Sequence, residues 1–388
     1  MLRMGIYHQI GHDCINLLKE KALSPFAGLI WSPVNYLEEE VTSSNLSLPK
    51  KFSRFLDPQL YFPAGEKENL HAWDYYPDDF ETSDNTNPAY WDSISKALIK
   101  TCIRTGCKTL CSPAPILNQC NNAYYDFFTD RANFAVEYAS DTDVTILQTV
   151  VIKLAEIEGA GCIEKIASIL SRSNASGFYL IFSSSTTPRR ELCSSEQLTN
   201  AMKLIFLLKQ CGLRVTVGFC SSDFVLWRYA GADDIATGKF FNLRRFTATR
   251  FLEEENGGGG GQLPYLFDKS YLSFFREGDI IRLERRGLLD SEIEQNPYNV
   301  EIMNIVRSRS HRAWVALSWR SYLYSMMTLE SSLVSHDEKI ASMLKTAEKR
   351  WEFLRNSNLL MEEVPNNGSW IRNWRIALNE FDDFLNDI

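Results

Sequence analysis

The sequence predicts an α/β fold of the (β/α)8 barrel class carrying a C-terminal helical extension, and three observations lead there. Short, β-rich apolar runs alternate with longer amphipathic stretches up to about residue 250, the pattern of parallel strands joined by right-handed helical crossovers. The runs number eight, and they are nearly continuous in apolar residues, as strands covered on both faces are. The first turn lacks a G-x-G-x-x-G fingerprint, so an open dinucleotide-binding sheet is the weaker reading.

In chain order the expected strands are Gly5–Ile10, Gly28–Val34, Gln59–Pro63, Thr109–Pro115, Val144–Ile152, Gly177–Ser183, Arg214–Ser221 and Asp234–Phe241. Amphipathic helices are expected from Tyr90 to Thr105, Gly161 to Ser171 and Glu196 to Cys211, the last stopped by Gly212. An acidic, aromatic stretch from Ala64 to Pro88 follows the third strand and is expected to overhang the C-terminal end of the barrel. There loops carry function. The run Gly257–Gly261, preceded by Glu253, Glu254 and Glu255, reads as a surface connection or a loop that approaches a ligand. Beyond residue 295 the strand signal ends. Helices are expected over Asn299 to Met327, His336 to Asn356 and Ile371 to Phe384, which divides the chain into a barrel (1–295) and a helical extension (296–388).

A hydrophobic fraction of 45% suits a large core, and a net charge of −8 argues against a surface wholly devoted to nucleic acid or membrane while leaving room for one basic site. The nine cysteines form no C-x-x-C or Cys/His cluster and read as reduced thiols. No leader or membrane span is legible, so a cytoplasmic location is expected.

Reacting groups in barrels sit where strands end. That rule selects His8 with Gln9, Ser32, Tyr61, Ser112, Gln148, Ser183, Ser221 with Ser222 and Asp223, and Lys239. The set is poor in carboxylates, and no acid pair of the glycosidase kind is visible in it. His8, Asp13 and Gln148 are the polar groups expected nearest a reacting centre, with Lys239 as a possible amine nucleophile. His8, His12 and Asp13 are the alternative for a metal or acid–base site, no metal-ligand spacing stands out, and the sequence leaves the cofactor unknown.

The loops after the seventh and eighth strands commonly build a phosphate site. Here Ser221, Ser222 and Asp223 precede Gly238, Lys239, Asn242, Arg244 and Arg245, and the sixth loop adds Arg189 and Arg190. Serine hydroxyls, a close-approach glycine, a lysine point charge and forked guanidinium groups suit a phosphorylated small molecule, a nucleotide or a nucleic acid. The alternative is a solvated arginine face, with Arg250, paired to Glu253–Glu255. In the extension, Arg307, Arg309, Arg312 and Arg320 interleave with Trp314 and Trp319, a composition suited to a nucleic acid, a protein partner or packing on the barrel.

The run Gly231-Ala232-Asp233-Asp234-Ile235 resembles the late-barrel segment of the tRNA-guanine transglycosylases. That resemblance implies a (β/α)8 barrel and base exchange in nucleic acid through a covalent sugar intermediate. The chain departs from the family at Ala236, where the nucleophile is expected, at Gly238-Lys239, and in lacking the clustered zinc-binding cysteines. No catalytic residue carries over, and the resemblance implies a divergent or repurposed relative. The two functional readings are thus an anion-binding barrel enzyme and a non-catalytic barrel subunit of a complex acting on nucleic acid.

Overall fold

A computed structural model describes residues 5–65, 67–251, 262–333 and 337–388. Glu253–Glu255 and Gly257–Gly261 lie outside them. Eight parallel strands close on themselves in chain order: β1 (Gly5–Gln9), β2 (Gly28–Trp31), β3 (Ser53–Leu56), β4 (Thr109–Cys111), β5 (Thr145–Lys153), β6 (Gly177–Ser183), β7 (Arg214–Gly218) and β8 (Asp234–Thr237). β1 pairs with β2 on one side and with β8 on the other.

Seven strands fall where expected. The third does not: β3 is Ser53–Leu56, whose Ser and Arg hide its apolar signal, and the segment expected as a strand is the loop beyond it. Pro58 and Pro63 flank that loop, and Gln59 adopts φ of +57°, which a strand does not allow. The acidic stretch packs back onto this loop and the one after β2: the Tyr75 hydroxyl donates to Pro58 O at 3.0 Å and Trp73 Nε1 to Tyr36 O at 3.1 Å.

The expected helices appear as Pro88–Arg104, Cys162–Leu170 and Ser195–Gln210, and helices Glu38–Ser47, Asn122–Tyr138 and Phe224–Tyr229 complete the shell around the middle strands. After β8 the chain forms an antiparallel hairpin, β9 (Leu266–Asp268) and β10 (Ser273–Phe275), then the helix Glu277–Arg285. The expected helix over Asn299 to Met327 is two helices, Pro297–Arg307 and Val315–Leu333, separated where Arg309 takes φ of +52°. Helices Asp337–Asn356 and Ser369–Asn386 follow.

These helices belong to the barrel wall. Val315–Leu333 covers the outer faces of β1 and β8, with the Tyr322 and Thr237 hydroxyls 2.9 Å apart. Ser369–Asn386 lies along Ser195–Gln210, with Trp374 Nε1 donating to Leu192 O at 2.8 Å and Thr199 Oγ1 to Glu380 at 2.8 Å. One continuous apolar core runs from Ile6 to Phe381. All nine cysteines are free thiols, and no helix among the described residues is long and apolar enough to cross a membrane.

Strand alternation turns Tyr7, Gly28, Phe55 and Thr216 into the lumen. Gly28 is needed there for close approach: a Cβ would run into the Ser53 carbonyl oxygen and sit 2.7 Å from Tyr7 Cε1. Gly28→Ala is expected to destabilise the fold by ~1–3 kcal/mol, the usual cost of overpacking, read from urea unfolding. An unchanged midpoint would mean that the β2–β3 contact is looser than described.

Candidate functional site

The C-terminal end of the barrel holds two polar centres, one on the axis and one at the rim. The axial centre begins at Asp57, the first residue beyond β3. The Tyr61 hydroxyl donates to both Asp57 carboxyl oxygens at 2.8 Å, and Gln59 N–H donates to one at 3.0 Å. Burial pushes the Asp57 carboxyl up to about 7, against the opposing pull of those hydrogen bonds and of Arg250. From β1, Gln9 donates to the Tyr179 hydroxyl at 3.0 Å and accepts from Phe219 N–H at 3.1 Å. Ser32 Oγ meets Gln59 Oε1 at 3.0 Å. Arg250 closes the set, donating from Nη2 to Ser32 Oγ at 2.8 Å and to Asn35 Oδ1 at 2.6 Å.

Rings cover this centre. Phe246 bridges to Ser183 at the end of β6, and its ring centroid lies 5.1 Å from Tyr61, 5.2 Å from Phe219 and 5.5 Å from Phe251. All four side chains are buried. The place where a barrel ordinarily receives its substrate is filled by the segment that follows β8.

At the rim, Ser221, Ser222, Asp223 and Arg245 come together as the sequence suggested, around a residue it did not: Glu191. Arg245 donates to Asp223 Oδ2 at 2.9 Å and to Glu191 Oε2 at 3.1 Å, and the Ser221 hydroxyl reaches Glu191 Oε1 at 3.2 Å. Ser222 Oγ lies 3.4 Å from the same oxygen. Burial pushes Glu191 up to about 7, opposed first by Arg245, and moves Asp223 in the same direction. This buried cation therefore already has two carboxylates.

The other expected cations are placed differently. Arg244 is fully buried, its guanidinium carbon 3.4 Å from the Tyr322 ring centroid, donating to Gly238 O at 2.9 Å and Lys239 O at 2.6 Å. Lys239 donates to Asp13 O at 3.1 Å and lies over Phe240 and Trp319, and burial pulls its pKa down. Gly238 grants close approach to the protein itself, since a Cβ would sit 2.5 Å from Leu243 and 2.7 Å from Gln9 O. Asn242 stands half-buried beside them.

Nor do the expected reacting groups converge. His8 turns outward against Phe26, with neither ring nitrogen bonded. Burial, helped by Lys239, pulls it down to about 3, so the ring is neutral. Asp13 is exposed. Gln148 faces the helical shell, donating to Thr129 Oγ1 at 2.9 Å. The segment that carries the transglycosylase resemblance lies at the opposite, N-terminal end of the barrel. There Asp234 is ion-paired to Arg214 and accepts from Gly5 N–H at 2.9 Å, while Asp233 pairs with Lys209 at 2.7 Å.

Beside the rim network opens a cavity of about 580 Å³, between the loop after β6, the β9–β10 hairpin and the chain before the last helix. Arg189, Arg190 and Arg276 line it with Glu191, Glu363, Phe241, Phe274 and Trp370. Glu363 is shared, 3.1 Å from Arg189 Nη2 and 2.7 Å from Arg276 Nε. Arg190 is exposed and has no ion-pair partner among the described residues.

Asp57, Tyr179, Glu191 and Arg276 were not legible as site residues, and Arg250, read as part of a solvated arginine face, is buried. Asp57 was concealed by the displaced third strand, and the others are joined only by long-range folding.

No protein-family model matches the chain, and no curated protein matches it. Among solved structures it is similar to N-(5'-phosphoribosyl)anthranilate isomerase from Pyrococcus furiosus, at 9% identity over 61% of this chain and 88% of that one, TM-score 0.33. It is similar also to the carboxyl transferase domain of Rhizobium etli pyruvate carboxylase with 3-bromopyruvate, at 9% identity over 99% and 77%, TM-score 0.36. A third is dihydrodipicolinate synthase from Oceanobacillus iheyensis, at 8% identity over 100% and 98%, TM-score 0.34. Likenesses at this level carry no assignment of chemistry.

Asp57 and Glu191 both hold their protons more tightly in the folded chain than in the unfolded one, where carboxyls titrate near 4. Their stabilising contribution is whole below about pH 4 and is lost as pH rises toward 7. Asp57→Asn, neutral throughout, is expected to lose its part of that decline. Unfolding free energies measured from pH 4.5 to 8.5 test this. A slope equal to wild type would mean that Asp57 is ionised at neutral pH in the native protein.

Proposed function

We propose that this barrel binds a phosphorylated ligand with a planar ring, such as a nucleotide, in the rim cavity. The observation that carries the reading is the lining itself, three arginines against two carboxylates, one of which (Glu191) is already engaged by Arg245. The remaining positive excess favours an anion. Phe241, over which Arg189 lies, Phe274 and Trp370 line the cavity and suit the apolar part of a planar group. Of the expected cations, Arg189 and Arg190 are the ones at the open surface, whereas Arg244 and Arg245 brace residues of the wall behind them and Lys239 is buried away from the cavity.

A second reading is a barrel without turnover that serves as a subunit of an assembly. It is favoured by the aromatic filling of the axial mouth. The arginines of the extension give it little support. Arg307 pairs with Glu284 and Glu294, Arg312 with Glu301 and Arg320 with Glu20, and Trp314 is buried.

Calorimetric titration with adenosine monophosphate, ribose 5-phosphate and adenosine tests the first reading. The phosphorylated compounds are expected to bind and adenosine to bind at least about tenfold more weakly. Arg190→Ala, at an exposed and unpaired side chain, is expected to cost about tenfold in phosphate-dependent affinity, the lower end of the range for a charged hydrogen bond. Equal binding of adenosine, or indifference to Arg190→Ala, would remove the anion from the assignment.

A further inference from the structure

The axial centre contains an arrangement that the rim cavity does not use. Arg250 is buried with its charge held by neutral acceptors, Ser32 Oγ and Asn35 Oδ1. Among the described residues it has no carboxylate within ion-pair distance, although Asp57 lies in the same cluster. Its Nε is unpartnered, and so are Gln59 Nε2 and Thr149 Oγ1, all three atoms buried in residues at most 8% exposed. A buried guanidinium without a matched carboxylate is costly, and among the described residues no ring lies beneath Arg250 as Tyr322 lies beneath Arg244. Arg245, a short way along the chain, differs in carrying two carboxylates on one fork, although its Nε too is unpartnered. Residues 246–251 are therefore seated by their rings, Phe246 and Phe251 against Tyr61, while their cation is incompletely satisfied.

The polar floor beneath that cation consists of Asp57, Asn35 Oδ1, Ser32 Oγ, the Gln59 amide and the Tyr61 and Tyr179 phenols. It offers a carboxyl and oxygen acceptors on the axis of a barrel, at the end where such folds bind ligands. We propose that residues 246–251 are a displaceable internal occupant of an axial ligand site, and that the site accepts a guanidinium compound in the place of Arg250. The site is separate from the rim cavity, so its ligand and its failure are both independent of the anion reading.

The full chain is titrated calorimetrically with agmatine and with guanidinium ion at constant ionic strength and pH 8.5. Three proteins are compared: wild type; Phe251→Ala, which loosens the rings and keeps Arg250; and Arg250→Ala, which removes the occupant. Both variants are expected to bind agmatine at least about tenfold more tightly than wild type. Adding Asp57→Asn to either is expected to weaken that binding about tenfold, since each charged contact to a ligand is worth that much or more. Should Arg250→Ala fail to fold, Phe251→Ala carries the comparison alone. Binding of guanidinium ion but not of agmatine would mean that only the space of one missing side chain is filled and the segment stays seated, which overturns the proposal. Absence of agmatine binding in the folded variants overturns it equally.

Discussion

The guanidinium of Arg244 joins three parts of the molecule that are far apart in the chain. It donates to the carbonyls of Gly238 and Lys239 just beyond β8, touches Tyr265 beside the hairpin, and lies flat on Tyr322 of the helix Val315–Leu333. Phe241 and Phe274 add two more ring faces within 5.2 Å. Neutral carbonyls and aromatic quadrupoles replace the water this cation gives up, each ring contact contributing on the order of 0.5–2 kcal/mol when desolvated. Because the carbonyls it satisfies belong to the turn leaving the barrel, Arg244 ties that turn to the hairpin and to the helix Val315–Leu333. The segment folded over the mouth, the hairpin that walls the rim cavity and the helix that seals β1 against β8 come after that turn in the chain.

Its consequence for function is a shift of accessible space from the axis to the rim. Phe246, Phe251 and Tyr61 take the axial volume. The loop after β6 is held down by the contact of Arg245 with Glu191, and by Trp374 and Asn373 of the last helix on the carbonyls of Leu192 and Cys193. The open volume then lies between that loop, the hairpin and the chain leading into the last helix. The extension thus supplies wall and floor of the candidate site, and residues such as Glu363, distant in sequence, share arginines with the barrel loops.

Two carboxyls near neutrality, Asp57 and Glu191, sit in these neighbouring centres for the same reason: full burial with partial compensation. They differ in their cation. Glu191 shares Arg245 directly, whereas Asp57 has phenol and amide donors and only the field of Arg250. The first is a brace whose charges are met. The second is a polar centre whose cation is held by neutral groups alone.

By itself the sequence determined the barrel, because strand number and crossover helices are local patterns of apolar period, and seven of eight strands obey them. The place of Arg189, Arg190 and Arg245 beyond strand ends at the C-terminal end of the barrel was legible too, because those strand ends are readable. The sequence misplaced β3, where Ser53 and Arg54 weaken the apolar signal and the more apolar loop after Pro58 imitates a strand. Only the tertiary structure decided which cations face solvent and which are consumed inside. Lys239, Arg244 and Arg245 are ordinary surface types in the sequence, yet backbone carbonyls, rings and the distant Glu191 enclose them. Charge and residue type are local properties, but the partners that neutralise a charge are brought up by chain closure across long separations, and that closure is a property of the packed core.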